Sequence, residues 1–331
     1  TLMRGRLDGT GSPETVLGGE WNHAVSASPN GRWLVDTTSL ATVPPTTTLR
    51  RADGTEVRVL ARQTTPAHEA LRLVAPEWLT VRAGDGVALS AVLWKPPGFD
   101  PARKHPLIVH VYGGPGSSIV RDTWRGAGSY YTELLARDGF LVFAIDGRGT
   151  GGRGKDFETV VHRRLGLPEL DDQVAAVREV AKRPGVDGDR VGIWGWSYGG
   201  TMACLAMARA PTVFHAGVAV APVTDWRLYD SIYTERYLDR PSENPDGYRD
   251  TAAVTFAKDV RGALLLMHGI ADDNVHVANT LRFGTALLAA KRPFDQMLYP
   301  SCGHGIGGAA NHVDVYGRIR EHFRRHLGGP R

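Results

Sequence analysis

Four stretches of this chain are apolar almost without a break: "PLIVHVY" at 106–112, "FLVFAID" at 140–146, "HAGVAVAP" at 215–222 and "GALLLMHG" at 262–269. A strand with one wet face alternates apolar and polar residues, so a strand that does not alternate must be covered on both faces. Such strands pair in parallel, and parallel pairing needs a crossover between partners, usually a helix. The chain supplies those helices. "ELDDQVAAVREVAKR", "TMACLAMARA", "ANTLRFGTALLAA" and "HVDVYGRIREHFRRHL" carry helical patterning between or after the apolar runs. "RVGIWG" and "FDQMLYP" add strands, and "EWLTVRA" with "LSAVLWKP" reads as a strand pair ahead of them. Residues 69–331 therefore predict an α/β domain built on a doubly wound, mostly parallel sheet.

Residues 1–68 have another texture. "HAVSAS", "RWLVDTTS", "TTTLRRA" and "EVRVLAR" read as short strands, with turn chemistry at Pro29-Asn30-Gly31 and Asp53-Gly54-Thr55. Four such strands make an antiparallel sheet the size of one β-propeller blade, which has no closed core of its own and needs a cover. The formal charge of +4 is spread along the chain rather than run into blocks, which argues against nucleic acid as a partner. No run approaches the length of a membrane-spanning helix, so a soluble protein is expected. The compartment stays open between cytoplasmic and periplasmic or secreted. Two cysteines, Cys204 and Cys302, make no disulfide framework, and their pairing also stays open.

The strand "RVGIWG" runs directly into Gly195-Trp196-Ser197-Tyr198-Gly199-Gly200 and then into a helix of small residues. Gly-x-Ser-x-Gly between strand and helix is the nucleophile elbow of the α/β-hydrolase fold, in which acid and histidine follow the serine in that order. After "GALLLMHG" come Asp272 and Asp273, which local sequence does not separate, and after "FDQMLYP" comes His304 in a glycine-flanked loop. Ser197 is thus the expected nucleophile and His304 the expected base, ahead of His268, His276 and His312, none of which follows a strand of its own. The backbone N–H of Tyr198 is the expected first oxyanion donor. Tyr112, ending the strand before "GGPGSS", is either a second donor or a packing residue. The run "DGRGTGGRG" at 146–154 has the outline of a dinucleotide-binding turn, but its strand is not the first of the sheet and no tightly packed helix opens on it. It reads as a turn beside the site.

With "VYGGPGSS", "DGRGTGGRG", "GWSYGG", "APVTDWRLYDSIYTERY", "HGIADDNVH" and "CGHGI" in that order, the chain resembles the prolyl oligopeptidase clan of serine peptidases, and within it the dipeptidyl peptidase IV subfamily. The resemblance implies a catalytic triad of Ser197, Asp272 and His304, with Tyr112 and Tyr198 as oxyanion donors. It implies that Val223, Trp226, Tyr229, Tyr233, Tyr198 and Val275 wall a pocket for the penultimate proline, and that Asn274 holds the substrate carbonyl. Trp226, Tyr229, Tyr233 and Tyr237 recur at helical spacing, which read alone is core packing. The implied function is a serine exopeptidase releasing X-Pro, less readily X-Ala, dipeptides through an acyl-enzyme, with no metal or cofactor. Prolyl tripeptidyl peptidase, acylaminoacyl peptidase and a non-catalytic hydrolase-fold scaffold are the alternatives. The family's long propeller, of which residues 1–68 would be the last blade, implies a missing amino-terminal portion, in the same or a separate chain, and a homodimer.

Overall fold

The structure, a computed structural model, describes residues 1–329. Two compact units share the chain, one made of residues 1–76 with 121–134 and the other of 77–120 with the described residues from 135 on. In the first, β1 (Leu2–Arg4) and β2 (Glu14–Leu17) form a small antiparallel pair. Strands β3 (Asn22–Ala27), β4 (Trp33–Leu40), β5 (Val43–Arg51) and β6 (Glu56–Arg62) make a four-stranded antiparallel meander in chain order. Its polar centre is Asp36, fully buried, which accepts a hydrogen bond from Arg50 Nε at 2.9 Å and lies 3.0 Å from His23 Nδ1. Trp33, Val35, Val57 and Leu60 stay exposed, as expected of a lone blade.

The segment 121–134, far away in sequence, packs with this sheet. Asp122 accepts the Ala41 N–H at 2.7 Å, and the Thr123 hydroxyl meets that of Ser39 at 3.0 Å. His68, on the short helix Pro66–Leu71, stands between Trp124 and Tyr130, its ring edge-on to both. No local signal announces this return of the chain.

The second unit is an eight-stranded sheet of β7 (Glu77–Arg82), β8 (Ala88–Trp94), β9 (His105–His110), β10 (Leu141–Asp146), β11 (Val186–Trp196), β12 (Ala216–Val220), β13 (Ala263–Gly269) and β14 (Asp295–Tyr299). Its order is β14-β13-β12-β11-β9-β10-β8-β7. Pairing is parallel from β14 to β10 and antiparallel through β8 and β7. This is the α/β-hydrolase fold. Every residue of β10 and β12 is buried, which is why those strands read as unbroken apolar runs.

The helix Tyr198–Arg209 is buried along all but its last residue, and its Ala, Gly and Cys residues let it lie close on the sheet. Glycine is required at its start. A Cβ on Gly199 would stand 2.2 Å from the Val111 carbonyl oxygen, and one on Gly195 2.4 Å from the same atom. Both clashes are with backbone, so relief needs the β9 end or the helix to move. Gly199→Ala is expected to cost about 1–3 kcal/mol, as overpacking does. Calorimetry should show it as a lower unfolding midpoint; an unchanged midpoint would mean the Val111 carbonyl steps aside freely.

Candidate active site

β11 delivers Ser197 with φ 59° and ψ −121°, a backbone conformation that non-glycine residues rarely hold. The ladder bond from Ser197 N–H to the Val220 carbonyl (2.8 Å) and the helix bond from Thr201 N–H to the Ser197 carbonyl (3.0 Å) hold it there. Tyr198 opens the helix, so its N–H has no acceptor within it.

The loop after β13 folds around one carboxylate. Asp272 Oδ1 accepts the backbone N–H groups of Asn274 (3.0 Å) and Val275 (2.9 Å), and Oδ2 lies 2.8 Å from His304 Nδ1. Asp272 is buried, whereas its neighbour Asp273 is exposed. His268 backs the pair. It is fully buried, with Nε2 2.7 Å from the Val275 carbonyl and 3.2 Å from Asp272 Oδ2, and Nδ1 2.7 Å from the Thr280 hydroxyl. Burial depresses its pKa, so the neutral ring donates from Nε2 and accepts at Nδ1. The loop carrying His304 is tied to the elbow strand by Trp196, whose Nε1–H donates to the His304 carbonyl at 2.8 Å. His312 is half-buried at the start of the last helix, and both cysteines are free.

Tyr112 leaves β9 into the loop 113–120, and two acidic residues brace this loop and the 147–154 run bonded to it. Asp146, at the end of β10, accepts from the Ser118 hydroxyl and from the N–H groups of Ile119 and Val120. Asp172, fully buried, holds the Arg148 guanidinium and the Arg148 N–H. The glycine run "DGRGTGGRG" closes on this loop: Gly116 N–H donates to the Gly149 carbonyl (2.9 Å) and Gly151 N–H to the Ser117 carbonyl (3.0 Å). A Cβ on Gly151 would fall 2.5 Å from the Gly116 carbonyl oxygen. Its glycines are used for close backbone approach, and the helix that follows is only Lys155–Thr159.

Tyr112, Ser197, Tyr198, Val223, Trp226, Tyr229 and Tyr233 line one narrow cleft of about 40 Å³. The aromatic residues reach it differently from the single helical face their spacing suggests. Trp226–Leu228 is a 3₁₀ turn, Tyr229 is extended, and an α-helix restarts at Ser231. The cause is a pair of caps: Asp225 accepts the Arg227 N–H, and Asp230 accepts the Tyr233 N–H. The rings still meet, Trp226 stacking on Tyr233 at 6.2 Å and Tyr229 standing edge-on to Tyr233 at 5.4 Å. The Tyr229 hydroxyl donates to Asn274 Oδ1 at 2.8 Å, joining the cleft to the Asp272 loop. Val275 is fully buried and meets this group through its backbone, at Asp272 and His268.

One residue of the site went unread in the sequence. Glu169, fully buried on the helix Leu167–Val180, accepts the Tyr198 hydroxyl at 2.6 Å through Oε1, while Oε2 has no hydrogen-bond partner. Burial pushes its pKa up to about 7, only partly offset by the Tyr198 hydrogen bond. The available signal was an acid set among Leu165, Leu167, Pro168 and Leu170.

A half-buried serine on a strained elbow, a buried carboxylate paired to a histidine and two hydrogen-bond donors beside the serine are a set suited to acyl transfer. Residues 128–330 match the Prolyl oligopeptidase family. Among known proteins, the chain is 42% identical over 227 residues to "Probable dipeptidyl-aminopeptidase B" of Arthroderma otae, covering 67% of this chain and 24% of that protein. The protein of the same name from Emericella nidulans is 42% identical over 240 residues, 71% of this chain and 26% of its own length. The chain thus spans about a quarter of the length of these relatives. The crystal structure of Porphyromonas gingivalis dipeptidyl peptidase 4 superposes with a TM-score of 0.91 at 36% identity, over 97% of this chain and 45% of that one.

Glu169 gives the site a pH signature. Its carboxyl binds a proton more tightly folded than unfolded, so its contribution to stability is most favourable at low pH. That contribution is lost as pH rises from the ordinary glutamate range through about 7. The loss approaches about 3 kcal/mol. Glu169→Gln keeps an acceptor for Tyr198 and does not titrate. Its melting temperature relative to wild type should therefore climb between about pH 5 and pH 8. A constant difference across that range would show that Glu169 is ionised in the folded protein throughout.

Proposed function

This chain belongs to the prolyl oligopeptidase family, and we propose that it carries the catalytic machinery of a serine exopeptidase that removes X-Pro dipeptides, less readily X-Ala, from peptide amino termini. The observation that carries the reading is a serine elbow opening onto an aromatic cleft, with His304 paired to Asp272 and its loop tied to the elbow strand by Trp196. The names of the relatives support the same reading.

In the proposed reaction Ser197 Oγ adds to the carbonyl carbon after proline as its proton passes to His304 Nε2. The imidazolium that forms keeps its Nδ1–H on Asp272, which stays ionised. Tyr198 N–H and the Tyr112 hydroxyl donate to the oxyanion. Collapse breaks the C–N bond, and His304 returns the proton to the departing amine. Water then adds to the Ser197 ester, again giving its proton to His304, and the ester C–O bond breaks to release the dipeptide and restore the serine. The flat walls of Trp226, Tyr229 and Tyr233, with Val223, suit a compact pyrrolidine ring and exclude long side chains. In this reading Asn274, whose Oδ1 accepts the Tyr229 hydroxyl, donates its amide N–H to the substrate's other carbonyl, and Val275 belongs to the pocket wall. The exposed apolar residues of the first unit's sheet support a further propeller portion as its cover, in the same or another chain; homodimerisation goes with this reading.

Hydrolysis of a Gly-Pro chromogenic anilide tests it, with Ser197→Ala expected to be inactive yet folded; turnover retained in that variant would end the nucleophile assignment. Tyr112→Phe should lower kcat about 10²–10³-fold with little change in KM. A raised KM at unchanged kcat would make Tyr112 a packing residue instead. Tyr229→Ala should erase the preference for proline over leucine; a preserved ratio would move the pocket elsewhere. Comparing the free-amine anilide with its acylated form separates dipeptide release from broader cleavage.

A further inference from the structure

The last helix carries "HFRRH", two histidines four residues apart and therefore on one face. That face meets the start of edge strand β14. We propose that Asp295, His322 and His326 form a binding site for a divalent transition metal, Zn²⁺ foremost, at the amino-terminal end of the parallel sheet. Among the described residues these three bring one ligand atom each to within 4.8 Å of one another. A tetrahedral zinc with ligands near 2.0–2.1 Å wants them about 3.4 Å apart. Asp295 and His326 are exposed and have the rotamer freedom to close that gap.

His322 is the fixed member. It is 6% exposed, and its Nε2 lies 3.3 Å from the Ala263 carbonyl at the start of β13. A proton held on Nε2 by that carbonyl leaves the lone pair on Nδ1, the arrangement by which a backbone carbonyl orients a zinc-binding histidine. A solvent-open hollow lined by Ala263, Phe294, Asp295 and His326 leaves room for a water to complete the tetrahedron.

The charges around His322 set the affinity. Asp295 faces it from β14, Arg325 opposes from the helix, and Arg318 and Glu321 line the adjoining surface. One carboxylate ligand against two guanidinium groups is poor for Mg²⁺ or Ca²⁺, whereas two imidazoles favour zinc and its neighbours in the series. The metal would clamp the last helix to the sheet edge. β14 separates it from the His304 loop by four strand steps, about 13 Å. Its role would be stability rather than chemistry, and it stands whether or not the proposed peptidase activity does.

Titration of the full chain with Zn²⁺ alone, by calorimetry and chromophoric-chelator competition, tests this. One equivalent should bind with Kd of about 1 µM or tighter, raising the melting temperature. Co²⁺ in its place should give the intense visible absorption of a tetrahedral site. His326→Ala and Asp295→Asn, both exposed and expected to fold, should each weaken binding about tenfold or more and abolish the thermal shift. No binding at about 100 µM Zn²⁺, or wild-type binding by both variants, would overturn the proposal.

Discussion

The Val111 carbonyl is the point on which the second unit turns. Gly195 and Gly199 both approach it more closely than any side chain allows, so the end of β9, the end of β11 and the first turn of the buried helix are locked into one contact. Ser197 cannot relax its positive φ without moving one of these three, and each is buried in the core of the sheet. The cost of the strained serine is thus carried by a packed core, the condition under which strained conformations persist. Tyr112 follows Val111 directly, so the same contact sets the start of the loop that brings its ring beside the serine.

Around that point, carboxylates act in three different states of burial and pairing. Asp146 and Asp172 are satisfied by backbone amides and by Arg148, and they make the loops rigid. Asp272 receives two backbone amides on one oxygen, which leaves the other to face His304 and His268. Glu169 has one hydroxyl and no cation, so the low dielectric around it favours the protonated form. An ionised carboxylate beneath the cleft would oppose negative charge developing on an oxyanion at Ser197. Below about pH 7, where Glu169 is mostly protonated, the site is spared that charge.

The sheet, the elbow and the order of serine, acid and histidine were legible because each follows from a strand end, and strand ends are written in apolar runs and glycines. Asp272 and Asp273 differ only in burial, which adjacency in sequence hides and the fold around "ADDNVH" reveals. The helical reading of the aromatic stretch failed for a reason local sequence does contain: Asp225 and Asp230 are both good N-caps, and each starts its own turn. The packing of 121–134 with the first sheet was not legible, since it rests on Asp122, Thr123 and Trp124 meeting partners some eighty residues earlier. Glu169 was hidden for the same reason: its partner, Tyr198, is 29 residues away and looked complete as an elbow residue.

Parallel strands make the two ends of the sheet unequal. At the carboxyl ends, β9, β11, β13 and β14 release Tyr112, Ser197, Asp272 and His304 into neighbouring loops, where Asp272 holds His304 and Trp196 ties the His304 loop to the elbow strand. At the amino ends the crossovers arrive from helices, and the edge strand β14 has a neighbour on one side only. There His322 and His326 meet Asp295, a strand length away from the His304 loop on which the same helix begins. A binding site at this end can strengthen the sheet edge while leaving the elbow's geometry unchanged, because four strand steps of rigid ladder separate the two. The fold therefore permits stability to be tuned at one end of the sheet independently of the chemistry at the other.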